Sequence, residues 1–311
     1  MSLAENSDDP TRLDRLTSRV VRFRRPSPRL TRLAGVVSVV GFAAIVIWSI
    51  VSHGDQLRVD FTLLTVAAVV GTPLALALNY VELRLIARTA GVELSVGEAA
   101  TTTLFASAAN TLPLPGSVVV RGWSLARKGV DLKKIVLTQA VAGLAFIAAG
   151  LVITGPLIAT ASVPVGIMVT GAGVGGLVVL ASVTRGGDKE LRSRLLAVEG
   201  AMVVSELVRI SIVLAALDVE VTAARAGGLV GANIVSVAVG VFPAGLGLRE
   251  ALAAASATAT GMSAAAAVMV SVADRVATSV VLGLALAVTV GLGQRPAPTG
   301  PNQVEPPELS S

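Results

Sequence analysis

The sequence contains no cysteine and only one histidine, His53. Without cysteine there is no disulfide framework, no thiol nucleophile and no Cys-ligated metal site. His53 sits beside Gly54 in an expected loop, so neither a histidine-built metal centre nor a Ser-His-Asp triad is available. Aromatic residues are only 3% of the chain, which removes the stacking platforms that single-stranded nucleic acids need. No P-loop Gly-Lys-Ser/Thr occurs, so no ATP site is visible. No nucleic-acid partner, metal or cofactor is expected.

Charge is also scarce. Asp, Glu, Lys and Arg make up 14% of the chain, against about 25% in a soluble domain. What fills the sequence instead is apolar: 53% of 311 residues, with a mean hydropathy of +0.79. A bilayer-crossing helix needs about 20 apolar residues. Full spans are expected at Leu33–Val51, Phe61–Leu78, Ile135–Thr154, Val163–Val183, Leu195–Leu217 and within Met262–Leu292. Two further runs are interrupted. Glu98–Leu112 stops at Pro113, Pro115 and Gly116, and Ala226–Phe242 ends at Pro243, Gly245 and Gly247.

The cations are clustered. Residues 1–32 hold eight arginines against Glu5, Asp8, Asp9 and Asp14. This basic N-tail reads as a topology signal bound to anionic lipid rather than as a nucleic-acid patch. The first apolar run begins near Leu33, and no cleavable leader is expected. Lysine and arginine mark cytoplasmic loops. By that rule the N-tail, loop 80–97 (Arg84, Arg88), segment 121–134 (Arg121, Arg127, Lys128, Lys133, Lys134) and loop 184–194 (Arg185, Lys189, Arg192, Arg194) are cytoplasmic. Residues 52–60, 155–162 and 218–225 carry little positive charge and fall outside.

If loop 80–97 and segment 121–134 lie on one side, the stretch between them must enter and return. Glu98–Val130 is then a re-entrant hairpin with its tip at Pro113–Gly116. Ala226–Thr260 becomes a second hairpin from the opposite side, with its tip at Pro243–Gly247. The expected architecture is an all-α polytopic membrane protein. It has six full spans and two re-entrant broken-helix hairpins, arranged as inverted halves over 33–154 and 163–292. Broken helices in inverted repeats are a transporter design. The competing architecture is eight plain spans. The transmembrane domain covers 33–292, and the Pro-rich tail 293–311 reads as disordered.

Three constellations could carry chemistry. In the first, Asn110, Pro113, Gly116 and Arg121 combine a helix break with an arginine. A restarting helix offers free amides to an anion, and Arg121 falls about a turn and a half beyond Gly116. The plain alternative is a kinked helix with a snorkelling arginine. In the second, Asn233 precedes Pro243, Gly245, Gly247, Arg249 and Glu250. Here Arg249 would hold a lipid phosphate and Glu250 would orient it; a structural ion pair is the plain alternative. The third lies inside full spans. Glu206 and Arg209, three apart, can pair on one helix face, and Glu199 shares that face. Asp274 and the adjacent Arg275 point about 100° apart, so each needs its own partner. Intramembrane charges are site candidates, with structural pairing as the alternative. Gly171-Ala-Gly173-Val-Gly175 and Gly227-Gly228-Leu-Val-Gly231 read as helix-packing stripes.

Phe242-Pro-Ala-Gly-Leu-Gly-Leu-Arg-Glu250 and Asn110-Thr-Leu-Pro113…Gly116…Arg121 carry a resemblance. The chain, over about residues 33–292, resembles the flippase-like transmembrane domain of lysylphosphatidylglycerol synthases and its stand-alone relatives. Arg275 falls where that family often has an arginine in its last span. Ser117 departs from the family's Glu after Gly, and Thr138-Gln139 departs from its Glu-Arg pair.

The resemblance implies movement of a lipid between leaflets of the cell membrane. With the chain ending at Ser311, the synthase domain is expected to be absent, and the lipid to come from a separately encoded enzyme. The expected partner is an anionic phospholipid or a polyprenyl-phosphate-linked lipid. Two rivals stand beside this reading: a membrane scaffold acting through the basic N-tail, and a membrane-embedded lipid-modifying enzyme. The second is poorly provided for, because acid/base groups are few.

Overall fold

A computed structural model describes residues 59–110, 116–185, 188–239 and 247–293. Among these, nine helices and no strand are found: α1 Phe61–Thr89, α2 Val96–Ala109, α3 Gly116–Ala126, α4 Leu132–Ala159, α5 Val163–Val183, α6 Lys189–Ala216, α7 Ala223–Val239, α8 Leu248–Thr260 and α9 Ala264–Gly293. The expected span Leu33–Val51, the N-tail, His53, Pro113, Pro243, Gly245 and the tail from residue 294 lie outside the described residues.

Four helices are long and apolar enough to cross a membrane: α1, α4, α5 and α9. Their outward faces carry large apolar side chains, Ile167, Met168, Val178 and Leu284 among them, each well over half exposed. A fully soluble surface would not present such faces. α6 is equally long, with 28 residues, but Glu199, Glu206 and Arg209 interrupt its apolar sequence.

Capping sets most helix starts. Asp60 accepts from the Thr62 and Leu63 amides at 2.8 and 3.1 Å. Asp188 accepts from Glu190 and Leu191, so α6 begins six residues before the expected span. Asp131 accepts from Lys133 at 2.9 Å, and α4 then runs through Pro156. α1 also departs from expectation. It continues eleven residues beyond Leu78, through the stretch 79–89. The reason is periodicity: Glu82, Leu83, Ile86 and Ala87 are buried on one face there, so the positive charges of Arg84 and Arg88 mark a helix end rather than a loop.

α2 and α3 pack as an antiparallel helical hairpin. Thr102 Oγ1 meets Ser124 Oγ at 3.3 Å, Lys128 meets Glu98 at 2.8 Å, and the start of α3 at Gly116 lies against Ala109. At the open end, the Lys128 ammonium and the Ser95 amide hold the exposed Glu98 carboxyl well down, at about 2. α7 and α8 form a second hairpin. Gly228 faces Thr260 and Ser256, and Arg225 donates to the Gly261 carbonyl at 3.1 Å.

α1 and α6 run antiparallel through the centre, with the Asp60 amide donating to the Ala216 carbonyl at 2.7 Å. Two apolar clusters result. One gathers Leu83, Ile86, Leu125, Ile135, Leu180 and Leu195 at the end where the loop lysines and arginines collect. The other gathers Leu214, Leu217, Leu229, Ala257, Ala267 and Val270 at the opposite end. The buried charges lie between them.

α5 is held to α4 by close backbone approach. The expected stripe Gly171, Gly173, Gly175 is corrected here. A Cβ on Gly173 would stand 2.6 Å from the Val152 amide nitrogen, whereas Gly171 and Gly175 meet nothing within 4 Å. The buried positions of α5 are Gly166, Gly173 and Leu180, a seven-residue repeat that keeps one face on α4. Gly173→Leu should therefore lower the unfolding midpoint in detergent, at a cost of about 1–3 kcal/mol for an overpacked contact. Gly175→Leu should leave it unchanged. Equal effects would show that α5 is seated otherwise.

Candidate functional site

A cavity of about 400 Å³ opens between the two apolar clusters. α1 supplies Asn79 and Glu82, the C-cap of α2 supplies Asn110, α3 supplies Ser117 and Arg121, and α4 supplies Gln139 and Phe146. α6 supplies Glu199, Met202, Ser205, Glu206 and Arg209, and α7 supplies Asn233. Every element of the first hairpin and its neighbours thus meets the second half of the chain at this point.

Helical spacing explains the α6 contribution. Glu199, Met202, Glu206 and Arg209 recur every three or four residues, so they share one face. Glu199 lies ten residues into α6, about 15 Å from its start at 1.5 Å per residue. That puts it well inside the bundle.

Arg121 is held by two residues of α1. Its Nη1 lies 2.9 Å from Glu82 Oε2, and its Nη2 donates to Asn79 Oδ1 at 2.7 Å. Its Nε is buried with no hydrogen-bond partner. Glu199 is fully buried, and neither carboxylate oxygen has a hydrogen-bond partner. Glu206 accepts from the Asn233 amide at 2.5 Å.

Behind this wall lies a second charged group. Asp274 of α9 takes two guanidiniums: Arg249 Nη2 at 2.8 Å and Arg209, whose Nη2 donates at 3.3 Å. Arg209 Nε is 3.1 Å from Asp274 Oδ1, an ion-pair distance without hydrogen-bond alignment. Arg209 also donates to Thr278 at 3.0 Å. Glu250, fully buried, pairs with Arg275 at 3.2 Å and accepts from the Gly247 amide at 2.8 Å. Gly247 has φ 82°, a left-handed conformation that glycine adopts freely, and it starts α8 with its amide turned onto that carboxylate.

Several sequence expectations are thereby placed. Asn110, Arg121, Asn233, Glu199, Glu206 and Arg209 share the cavity lining. Asp274 and Arg275 do take separate partners. Two pairings are corrected. Glu206 does not bind Arg209, because the facing Asp274 of α9 engages that guanidinium and Asn233 of α7 reaches Glu206. Glu250 does not orient Arg249: adjacent helix residues diverge, and each finds its partner on α9 separately. Arg249, Glu250, Asp274 and Arg275 lie off the cavity lining. Asn79 and Glu82 were missed, because the expected span ended at Leu78 and residues 80–97 were read as a loop. One signal was available: a lone glutamate among Leu83, Leu85 and Ile86 at helical spacing.

No protein-family model matches the chain, and no curated protein matches it significantly.

Proposed function

We propose that this protein binds the headgroup of an anionic membrane lipid in the central cavity and moves it between leaflets of the cell membrane. One observation carries the reading. A cavity of about 400 Å³, mostly apolar in its lining but carrying a cluster of charged and amide side chains, lies inside the helix bundle and is lined by Arg121, whose Nε is buried and unpartnered. Polar groups at membrane depth are costly unless they serve a pathway. A guanidinium has five N–H donors; Glu82 and Asn79 engage one on each Nη of Arg121, so the group keeps donors for a phosphate oxygen.

In this proposal α1, α4, α5, α6 and α9 are spans, together with the expected span Leu33–Val51. The hairpins α2/α3 and α7/α8 re-enter from opposite sides, in inverted halves, with both termini cytoplasmic. The basic end of the bundle supports that orientation. The resemblance to the flippase-like domain of lysylphosphatidylglycerol synthases agrees with this reading. Arg249 is reassigned from the headgroup to the wall, since it lies off the cavity lining, bound to Asp274.

The test uses the full chain in vesicles containing fluorescent phosphatidylglycerol, with surface quenching as the readout. Protein should speed the movement of label to the quenched leaflet, and Arg121→Gln should slow it at least about tenfold, the equivalent of one charge-assisted hydrogen bond. A rate equal to protein-free vesicles would sink the reading. So would an unchanged rate in Arg121→Gln.

A further inference from the structure

Glu199 has no evident role in holding the fold. It is fully buried, lines the cavity, and leaves both carboxylate oxygens without a hydrogen-bond partner. The other carboxylates around the cavity are all engaged. Glu82 has Arg121, Glu250 has Arg275, and Asp274 has Arg209 and Arg249.

Five carboxylates in this region face four guanidiniums, one negative charge in excess. Two arginines share Asp274, and their surplus positive charge acts on Glu206, which also takes the Asn233 amide. The charges acting on Glu199 are Glu82 and Arg121. Those two already neutralise each other. The uncompensated charge therefore falls on Glu199. On its own helix Glu206 and Arg209 are engaged elsewhere, and α4, α5 and α7 contribute no titratable side chain to the lining. A buried carboxylate in that position is costly unless a positive charge joins it.

We propose that Glu199 is an exchange site for one monovalent cation, a proton or a sodium ion, that enters and leaves with the lipid headgroup. The inference rests on the transport reading for its purpose, but not for the site itself. An anionic headgroup drawn to Arg121 would bring further negative charge into the cavity. A cation on Glu199 offsets it, so the pair crosses with less electrostatic cost than the headgroup alone. The driving force would then be an ion gradient, consistent with a chain in which no ATP site is visible.

Two arms on the purified full chain separate the ions. In the first, infrared difference spectra taken from acid through alkaline pH read the protonated-carboxyl C=O band. In the second, unfolding midpoints are compared in sodium chloride and choline chloride at equal ionic strength. A titrating band lost in Glu199→Gln identifies a proton. A rise of a few degrees in sodium alone, lost in Glu199→Gln, identifies sodium. Glu199→Asp serves as the second variant, since it keeps the carboxyl and should move the band or weaken the sodium effect. Neither signal in the wild type, or a signal unchanged in both variants, overturns the proposal.

The vesicle assay keeps the two readings apart. A site signal without lipid movement defeats the transport reading alone. Lipid movement indifferent to pH, sodium and Glu199→Gln defeats the ion site alone.

Discussion

Asp274→Ala should cost about 3–5 kcal/mol of stability, the range for removing one partner of a buried ion pair. Asp274 is only 2% exposed, and two guanidiniums converge on it from α6 and α8. Deleting it leaves Arg209 with Thr278 alone and Arg249 with no ionic partner it now has. Two positive charges would then stay in an apolar bundle without the carboxylate both now contact, offset only in part by Glu206. An exposed pair supplies the comparison. Arg194 and Glu190 lie one turn apart at 2.5 Å, with side chains more than half exposed. Such a pair contributes about 0–1 kcal/mol, so Glu190→Ala should barely move the midpoint. Denaturant unfolding in a fixed detergent measures both. If Asp274→Ala costs no more than Glu190→Ala, the site behind the cavity is hydrated and the ion pairs there are not buried in the functional sense.

This arrangement explains what could and could not be read from the sequence. The helices were legible because apolar runs near 20 residues have few other uses. The helix pairs α2/α3 and α7/α8 were legible as apolar runs broken by proline and glycine; that they re-enter the membrane belongs to the proposal. The charged residues of the cavity were mostly found too, since Arg121, Glu199, Glu206 and Arg209 stand out against an apolar background. Partner choice was not legible. Spacing of three allows Glu206 to meet Arg209, but it cannot show that Asp274, 65 residues away, lies closer to that guanidinium. The same holds for Glu82, whose partner Arg121 lies across the α2/α3 hairpin from it. Local periodicity reports which face a side chain is on. It does not report what the facing element carries. The glycine stripe of α5 failed for a related reason: Gly171 and Gly175 share a face with each other, but α4 lies against Gly166 and Gly173.

Glu82→Gln should strengthen the retention of anionic lipid about tenfold or more, while Arg121→Gln abolishes it. The opposite signs follow from the geometry. Arg121 gives Nη1 to Glu82 at 2.9 Å and Nη2 to Asn79 at 2.7 Å. Glu82 therefore competes with any phosphate for the same guanidinium. Glutamine keeps the shape and can still accept one hydrogen bond, but it carries no charge, so the whole positive charge of Arg121 becomes available to the cavity. A charge-assisted hydrogen bond is worth about 1.5–3 kcal/mol, and each 1.4 kcal/mol is tenfold in affinity. Tight retention should also slow release, because a carrier must let its cargo go. Lipid movement in Glu82→Gln should then fall even though binding improves, whereas in Arg121→Gln both fall together. Native mass spectrometry of co-purified lipids, read beside the vesicle rates, separates these patterns. If Glu82→Gln instead loses the lipid, Glu82 is the group that positions Arg121 for binding, and its charge is part of the site rather than its competitor.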